Sequence, residues 1–191
     1  MTHWHQLFAA DMKACFPQYT HWKAIYRVKH PVLDWLRSLR WLENLDQARR
    51  KNPFLNAVFY VGIFLHRRKS IRLGYTIPLH TFGPGLSIAH WGTIVVNGDA
   101  RIGGNCRIHQ GVTIGSSGGK SPIIGDNCFI GANASIIGGV KLGNNVRIGA
   151  NSLVNRSFPD GAVLVGIPAR NLAGSKDAAD VLGAYQPEAE L

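Results

Sequence analysis

The second half of this chain carries an aliphatic residue at every sixth position. The period breaks once, through four extra residues in the segment SSGGKSP, and otherwise holds over ten aliphatic positions. These positions are Val96, Ile102, Ile108, Ile114, Ile124, Ile130, Ile136, Leu142, Ile148 and Val154. A fixed period this short indicates that each repeat is one structural unit, and that the units stack on one another around a common core.

A repeat of six residues is too short for a helix and suits a short strand followed by a bend. Gly or Asn comes directly after eight of the ten aliphatic residues, and both tolerate the positive φ that tight bends require. His109 holds one of the remaining bend positions, where histidine adopts left-handed φ more readily than most residues. Three strands would close a triangular coil of about 18 residues with the aliphatic side chains inside. The pattern therefore predicts a mostly β protein built as a parallel β-helix.

The chain before Leu73 has a helical pattern instead. Residues 31–50 begin with Pro31 and place apolar residues at spacings of three and four, which predicts an amphipathic helix. A second segment, 53–65, also begins with proline and is followed by the basic run HRRK. We therefore expect three parts: an α-helical N-terminal region 1–72, a β-helix domain 73–174 and a C-terminal tail 175–191.

The net charge of +10 lies almost entirely in the helical region. Residues 1–72 contain 13 Lys and Arg against four Asp and Glu, whereas residues 73–191 contain eight against seven. This asymmetry favours an anionic partner for the helices, such as a membrane surface or a phosphorylated ligand, with a solvated helical surface as the alternative. The sequence has none of the usual nucleic-acid-binding motifs, so we expect no nucleic-acid partner.

Cys15, Cys106 and Cys128 are too few for a disulfide framework, and the histidines show no metal-ligand spacing, so we expect reduced thiols and no metal site. No secretory leader is visible, and the longest apolar run, 54–65, is shorter than the about 20 residues that a membrane-spanning helix needs. We therefore expect a cytoplasmic protein, with a peripheral contact to the inner membrane face as an open alternative.

The repeats resemble the hexapeptide-repeat acyltransferases, and within them the serine acetyltransferase group. The resemblance is carried by GLSIAHWGTIVVNGDARIG (85–103), RIHQGVTIG (107–115), the run 123–154 and the closing GAVLVGIPARNLAG (161–174). The helices followed by RLGYTIP are also similar to bacterial polysaccharide O-acetyltransferases of the colanic-acid type. The resemblance implies a left-handed parallel β-helix, acetyl-CoA as acyl donor, and a homotrimer with each coenzyme between neighbouring subunits.

The resemblance identifies His90 as the catalytic base, because it aligns with the family's catalytic histidine. An imidazole can take the proton of an acceptor hydroxyl near neutral pH while that oxygen attacks a thioester. The repeat places His90 on the same edge as Gln110, Ala132 and Ala150, one rung apart at about 4.8 Å. Three rungs span about 14 Å, which is comparable with an extended pantetheine arm.

Further site residues follow from the resemblance. For the coenzyme we expect the small side chains of the edge, the turn that matches the family's coenzyme-contacting turn, and two cations for its phosphates: Ala132, Ala150, Gly115, Ser116, Ser117, Lys120 and Arg170. A plain flexible loop is the alternative for the segment around Lys120. For the acceptor we expect Tyr75, His80, Trp91, His109 and Gln110. His80 would either orient His90, line the acceptor pocket or lie on the surface, and His109 would contact the acceptor or only form the turn.

The sequence departs from the serine acetyltransferase pattern around His90. Ala89 replaces the family's Asp, Tyr75 lies where the family's orienting carboxylate would fall, and no Asp or Glu occurs between Asp46 and Asp99. The family's long loop with a second histidine is also shortened. We therefore expect an O-acetyltransferase that acts on an uncharged saccharide hydroxyl of the exopolysaccharide or capsule type, free or lipid-linked. Serine O-acetyltransferase of cysteine biosynthesis is the alternative enzyme, and a β-helical scaffold is the non-enzymatic alternative.

Overall fold

The computed structural model describes residues 3–175 and residue 178. The N-terminal part is helical, as expected, with α1 (His3–Cys15), α2 (Tyr26–Lys29), α3 (Pro31–Arg49), a 3-10 turn (Pro53–Leu55) and α4 (Asn56–Leu73). Helix α4 continues through the basic run to Leu73 and is capped by Gly74, whose φ of 80° gives the left-handed C-cap that glycine adopts without strain. The expected tail 175–191 lies outside the described residues except for its first residue and Ala178.

From Tyr75 onward the chain forms short strands. They are β1 (Tyr75–Thr76), β2 (Ser87–Ile88), β3 (Ile94–Val96), β4 (Arg101–Ile102), β5 (Arg107–Ile108), β6 (Thr113–Gly115), β7 (Ile123–Ile124), β8 (Phe129–Ile130), β9 (Ser135–Ile137), β10 (Lys141–Leu142), β11 (Arg147–Ile148), β12 (Leu153–Val154), β13 (Val163–Val165) and β14 (Arg170–Asn171). They make three sheets that form the sides of a prism. Face A has the order β1-β3-β6-β9-β12, face B has β4-β7-β10, and face C has β2-β5-β8-β11-β13-β14.

The strand register confirms the predicted parallel β-helix. Ile130 pairs with Ile148, which lies one 18-residue coil later, and Ile108 pairs with Ile130 across the four-residue insertion. Each ladder is parallel except the last pair, β13 with β14. All ten periodic aliphatic residues are buried, so the period reports the inward side chains of the prism.

The glycines after the inward aliphatic residues have a different role from the one predicted. In six of the ten repeats, positive φ occurs instead at the third residue after the aliphatic position, as at Asn105, Asn127 and Asn151. A Cβ on Gly131 would lie 2.8 Å from the backbone nitrogen of Ala150 in the next coil, and Gly103, Gly125 and Gly143 are crowded in the same way. The glycines are therefore required by the close approach of successive coils. The prediction that His109 sits at a left-handed bend is also wrong, because the φ of His109 is not positive.

Helices α1 and α3 close one end of the β-helix and share its core. A buried ion network joins the two parts: Arg40 of α3 donates to Asp11 of α1 at 2.7 Å, to Glu43 at 2.9 Å and to the carbonyl of Gly83 at 2.6 Å. Asp11 also accepts a hydrogen bond from the backbone N–H of Leu86 at 2.9 Å. The helices are thereby fixed to the first coil, next to the segment that carries His90.

Within the described range, no helix combines the length and the hydropathy required to cross a bilayer.

Candidate active site

Four residues of the expected site form one edge of the prism, where face C turns into face A. His90, Gln110, Ala132 and Ala150 each stand two residues after the inward isoleucine of β2, β5, β8 and β11. The register aligns those strands one above another, so the four positions follow each other at about 4.8 Å per rung. We call this set the edge track. Of its members, His90 is the one with a side chain that can act as a base.

The backbone at His90 is held from both sides while the residue itself is exposed. The hydroxyl of Tyr75 donates to the carbonyl oxygen of His90 at 3.0 Å, and the N–H of Gly92 donates to the carbonyl of Leu73 at 2.9 Å. Tyr75 is only 3% exposed, and its ring meets the indole of Trp35 edge to face at 5.1 Å. Burial raises the pKa of the Tyr75 hydroxyl, which keeps it neutral as a donor.

Tyr75 therefore does not replace the carboxylate that the resemblance placed at this point. Its hydroxyl bonds to the main chain, so it positions the segment of His90 and leaves the imidazole ring untouched. Among the described residues no carboxylate accepts a hydrogen bond from the His90 ring. The ring's nearest aromatic neighbour is His109, with ring centroids 6.3 Å apart.

His109 and Gln110 line the next rung below the ring of His90. His109 is half-buried, and its ring packs against Phe129 with centroids 5.1 Å apart. The side-chain oxygen of Gln110 is buried and accepts no hydrogen bond within residues 3–175. A Cβ at Gly92, where φ is 141°, would lie 3.0 Å from the Cβ of Gln110, so glycine lets the His90 segment lie directly on Gln110. A buried unpaired amide oxygen calls for a donor from a ligand or a neighbouring chain.

The two other acceptor candidates lie in different surroundings. Trp91 follows His90 directly and is 65% exposed, so its indole is available to a ligand or a neighbouring chain. His80 packs against α3 instead: its Nε2 lies 3.3 Å from Asp46, and its backbone N–H donates to Glu43 at 2.7 Å. This geometry gives no support to His80 as the residue that orients His90.

The expected coenzyme turn is an ordered hairpin. The backbones of Ser117 and Lys120 exchange hydrogen bonds of 3.0 and 3.1 Å, and Gly118 and Gly119 between them have φ of 59° and 71°. Positive φ at both central residues is the pattern of a type I′ turn. The segment therefore has a defined turn geometry. The hairpin leaves face A at the edge opposite to the edge track, so one chain does not bring Ser117 and Ala150 together.

A cleft of about 400 Å³ opens beside this hairpin. Ser117 and Lys120 lie on one side of it, and Asn155, Arg156 and Ser157 lie on the other. Arg156 is a second cation near Lys120 that our sequence reasoning missed, although it follows the periodic Val154 by two residues, as His90 follows Ile88. Arg170 is elsewhere: it lies on β14, paired with Val165, at the far end of face C beyond Ala150.

Burial makes the two cysteines inside the prism unavailable as nucleophiles. Desolvation raises the pKa of the thiols of Cys106 and Cys128, which keeps them protonated inside the prism. In the part of the chain that the structure covers, no three His, Cys, Asp or Glu side chains are grouped so as to hold a metal ion. The edge track thus offers one base, an amide and two small side chains, with the exposed indole of Trp91 next to the base.

Comparisons with known proteins point in one direction. Residues 121–156 match the family described as bacterial transferase hexapeptide (six repeats). A serine acetyltransferase of Synechococcus elongatus is 39% identical over 113 residues, which are 56% of this chain and 46% of that protein. The crystal structure of Neisseria gonorrhoeae serine acetyltransferase in complex with serine is 31% identical with a TM-score of 0.71, and the match covers 89% of this chain and 69% of that one.

A further solved structure, a serine acetyltransferase in complex with CoA, is 25% identical with a TM-score of 0.65 over 86% of this chain and 68% of that one. The chain spans about half the length of the curated relatives it matches.

Proposed function

We propose that this chain, which belongs to the serine acetyltransferase family of hexapeptide-repeat transferases, moves an acetyl group from acetyl-CoA to a hydroxyl oxygen with His90 as general base. The observation that carries the proposal is the edge track, where an exposed imidazole stands at the foot of a row of small side chains. Family membership supports an enzyme over a β-helical scaffold.

The chemical step requires one proton acceptor. The acceptor hydroxyl oxygen attacks the thioester carbonyl carbon while the imidazole of His90 takes its proton. The tetrahedral intermediate then expels the CoA sulfur, and the imidazolium returns the proton to that sulfur, giving an acetyl ester and free CoA. Tyr75 contributes by holding the His90 backbone at 3.0 Å, and backbone N–H groups at the coil corner are the donors we expect for the oxyanion.

The acyl donor fits the rest of the track. Ala132 and Ala150 place only methyl groups on the track, which leaves room for a pantetheine arm, and Gln110 offers an unpaired amide oxygen to one of its N–H groups. The cations Lys120 and Arg156 line the hairpin cleft on the opposite edge of face A. Because one chain separates these two halves, we propose a homotrimer in which the track of one chain faces the hairpin corner of its neighbour.

The relatives favour serine as the acceptor, since those described above are serine acetyltransferases. They support this alternative better than the saccharide that the sequence led us to expect. A saccharide hydroxyl is kept as the second candidate because of one observation: Ala89 precedes His90, and no Asp or Glu between Asp46 and Asp99 is present to bind the ammonium group of serine. We also propose that the protein acts in the cytoplasm, where acetyl-CoA is made.

The experiment measures thiol release from acetyl-CoA by the purified chain, with serine and a panel of neutral sugars as acceptors. We expect His90→Ala to lower kcat by at least about 100-fold, the usual loss when a general base is removed. The melting temperature should stay close to that of the wild type, because the residue is exposed.

His21→Ala is the matched control, since His21 is exposed and, among the described residues, its side chain bonds only to the neighbouring Thr20. Activity of His90→Ala near the wild-type level would refute His90 as the base. Thiol release with serine but with no sugar would select the first acceptor, and the reverse would select the second.

A further inference from the structure

The outer face of α4 is apolar over its first half. Its exposed side chains recur at spacings of three and four, so they lie on one side of the helix. The large ones, including one residue of the preceding 3-10 turn, are 47% to 92% exposed: Phe54, Val58, Tyr60, Val61, Phe64 and Leu65. Six large apolar side chains exposed within 12 residues form a contiguous patch of the kind that marks a binding surface.

The same face is basic over its second half. Arg67, Arg68 and Arg72 are exposed, and none of them forms an ion pair with a described residue. The guanidinium of Arg68 lies 5.8 Å from the ring centroid of Phe64, where the two halves meet. Lys69 differs, because it turns inward and binds Asp34 at 2.6 Å. Three arginines on this face are thus left for an external anion.

The apolar surface also continues into the molecule. A groove of about 540 Å³ runs between α3 and α4. Its walls include the apolar side chains of Trp41, Val58, Val61 and Leu65, together with the basic side chains of Arg37 and Lys69. The apolar half of the outer face therefore has room beside it for hydrocarbon.

The charge of the face selects its partner. No Asp or Glu occurs between Asp46 and Asp99, so a second copy of this face would bring three more arginines and no carboxylate. A bilayer with anionic lipid offers phosphates for the arginines and acyl chains for the apolar half. Aromatic side chains such as Tyr60 and Phe64 suit the boundary between the two. At 18 residues α4 is about 27 Å long, enough to lie along such a surface.

We propose that the outer face of α4 docks on the surface of a bilayer that contains anionic phospholipid. The apolar half enters the boundary between headgroups and acyl chains, and Arg67, Arg68 and Arg72 bind phosphates. The basic half leads directly into the catalytic segment, because α4 ends at Leu73, whose carbonyl accepts from Gly92, and Tyr75 bonds to His90. Docking therefore holds the His90 segment close to the membrane surface.

The test measures sedimentation of the full chain with vesicles of phosphatidylcholine, alone or mixed with phosphatidylglycerol. The wild type should bind the mixed vesicles at about 0.1 M salt and be released at about 1 M, where the Debye length falls from about 10 Å to about 3 Å. The triple variant Arg67→Gln, Arg68→Gln, Arg72→Gln should bind about 100-fold more weakly, since each basic residue at an anionic leaflet contributes roughly fivefold.

Two further variants separate the contributions. The pair Val61→Gln and Phe64→Gln should weaken binding at least about tenfold without any change of charge. The control is the triple variant Lys13→Gln, Lys23→Gln, Lys29→Gln, which removes three exposed cations of the same helical region outside α4. It should bind the vesicles like the wild type. Thiol release with a soluble acceptor should be unchanged in every variant, which verifies that each is folded.

Three results would overturn the proposal. The first is a wild type that stays in solution with mixed vesicles at low salt. The second is equal loss of binding in the control and in the arginine variant, which would indicate a general charge effect. The third is a lower mass by light scattering for the Val61 and Phe64 variant, which would mean that the face joins two copies of this chain.

Discussion

Tyr75→Phe tests whether the catalytic segment is positioned by a single buried hydroxyl. The hydroxyl donates to the carbonyl of His90 at 3.0 Å, and the ring packs against Trp35 beneath it. Phenylalanine keeps the ring and its packing, so the substitution removes one hydrogen bond and leaves almost no cavity. The imidazole, the edge track and the hairpin cleft are not altered.

The expected size follows from that one bond. A neutral hydrogen bond contributes about 1 kcal/mol net to stability, so the free energy of unfolding should fall by about that amount. If the same bond holds His90 for the reaction, a similar loss appears in the activation free energy, and kcat falls about fivefold. The KM for acetyl-CoA should not change, because Gln110, Ala132 and Ala150 remain as they are.

The assay compares steady-state kinetics and urea unfolding of Tyr75→Phe with those of Tyr60→Phe. Tyr60 is exposed on α4 and forms no hydrogen bond through its hydroxyl in the described structure, so its variant controls for the chemical change itself. A kcat within twofold of the wild type, together with the expected loss of stability, would refute the reasoning. It would mean that the bond stabilises the fold but does not position the base.

Two other predictions concern the fold and its response to acid. Gly131→Ala should lower the free energy of unfolding by about 1–3 kcal/mol in a urea titration, because its Cβ would lie 2.8 Å from the backbone of the next coil. Gly98→Ala is the control. Its Cβ would lie 3.8 Å from the nearest atom, so the same titration should show almost no change in stability. Burial, helped by the charge of Lys69, lowers the pKa of His66 from 6.5 to about 4, so the unfolded chain binds the proton more readily. The free energy of unfolding should therefore be highest above about pH 6.5 and should fall by up to about 3 kcal/mol as the pH drops towards 4. Thermal melts across this pH range should show a smaller fall for His66→Gln than for the wild type.

The hexapeptide period predicts the inward residues and the edge track because both depend only on counting along the chain. The same counting assigned the glycines wrongly, since a glycine signals either positive φ or a close approach of backbones. The conformational signal was present three residues after five of the ten aliphatic positions, at Asn105, Asn127, Asn133, Asn145 and Asn151. Asparagine at a fixed place in a repeat is the better indicator of left-handed φ, because its short polar side chain lets it adopt that conformation more readily than most residues.

Contacts between distant segments could not be predicted in this way. Arg40 belongs to the predicted helix 31–50, and nothing in that pattern distinguishes it from the exposed Arg50, yet it is buried against Asp11, 29 residues earlier. His80 likewise finds Asp46 across the junction of helix and β-helix. A one-dimensional period describes how coils stack on coils, but it carries no signal for how a helix caps the first coil.

The carboxylates at the junction of the helices and the β-helix also affect which acetyl acceptor the site can bind. The acidic residues that precede His90 in the chain are already engaged: Glu43 binds Arg40, and Asp46 binds Arg49 at 2.6 Å as well as His80. An acceptor with an ammonium group would therefore find no unpaired carboxylate in the helical cap. In the proposed trimer, recognition of such a group would fall to the neighbouring chain or to backbone carbonyls at the coil corner. A neutral hydroxyl needs neither, since the exposed indole of Trp91 already offers an aromatic surface beside the base.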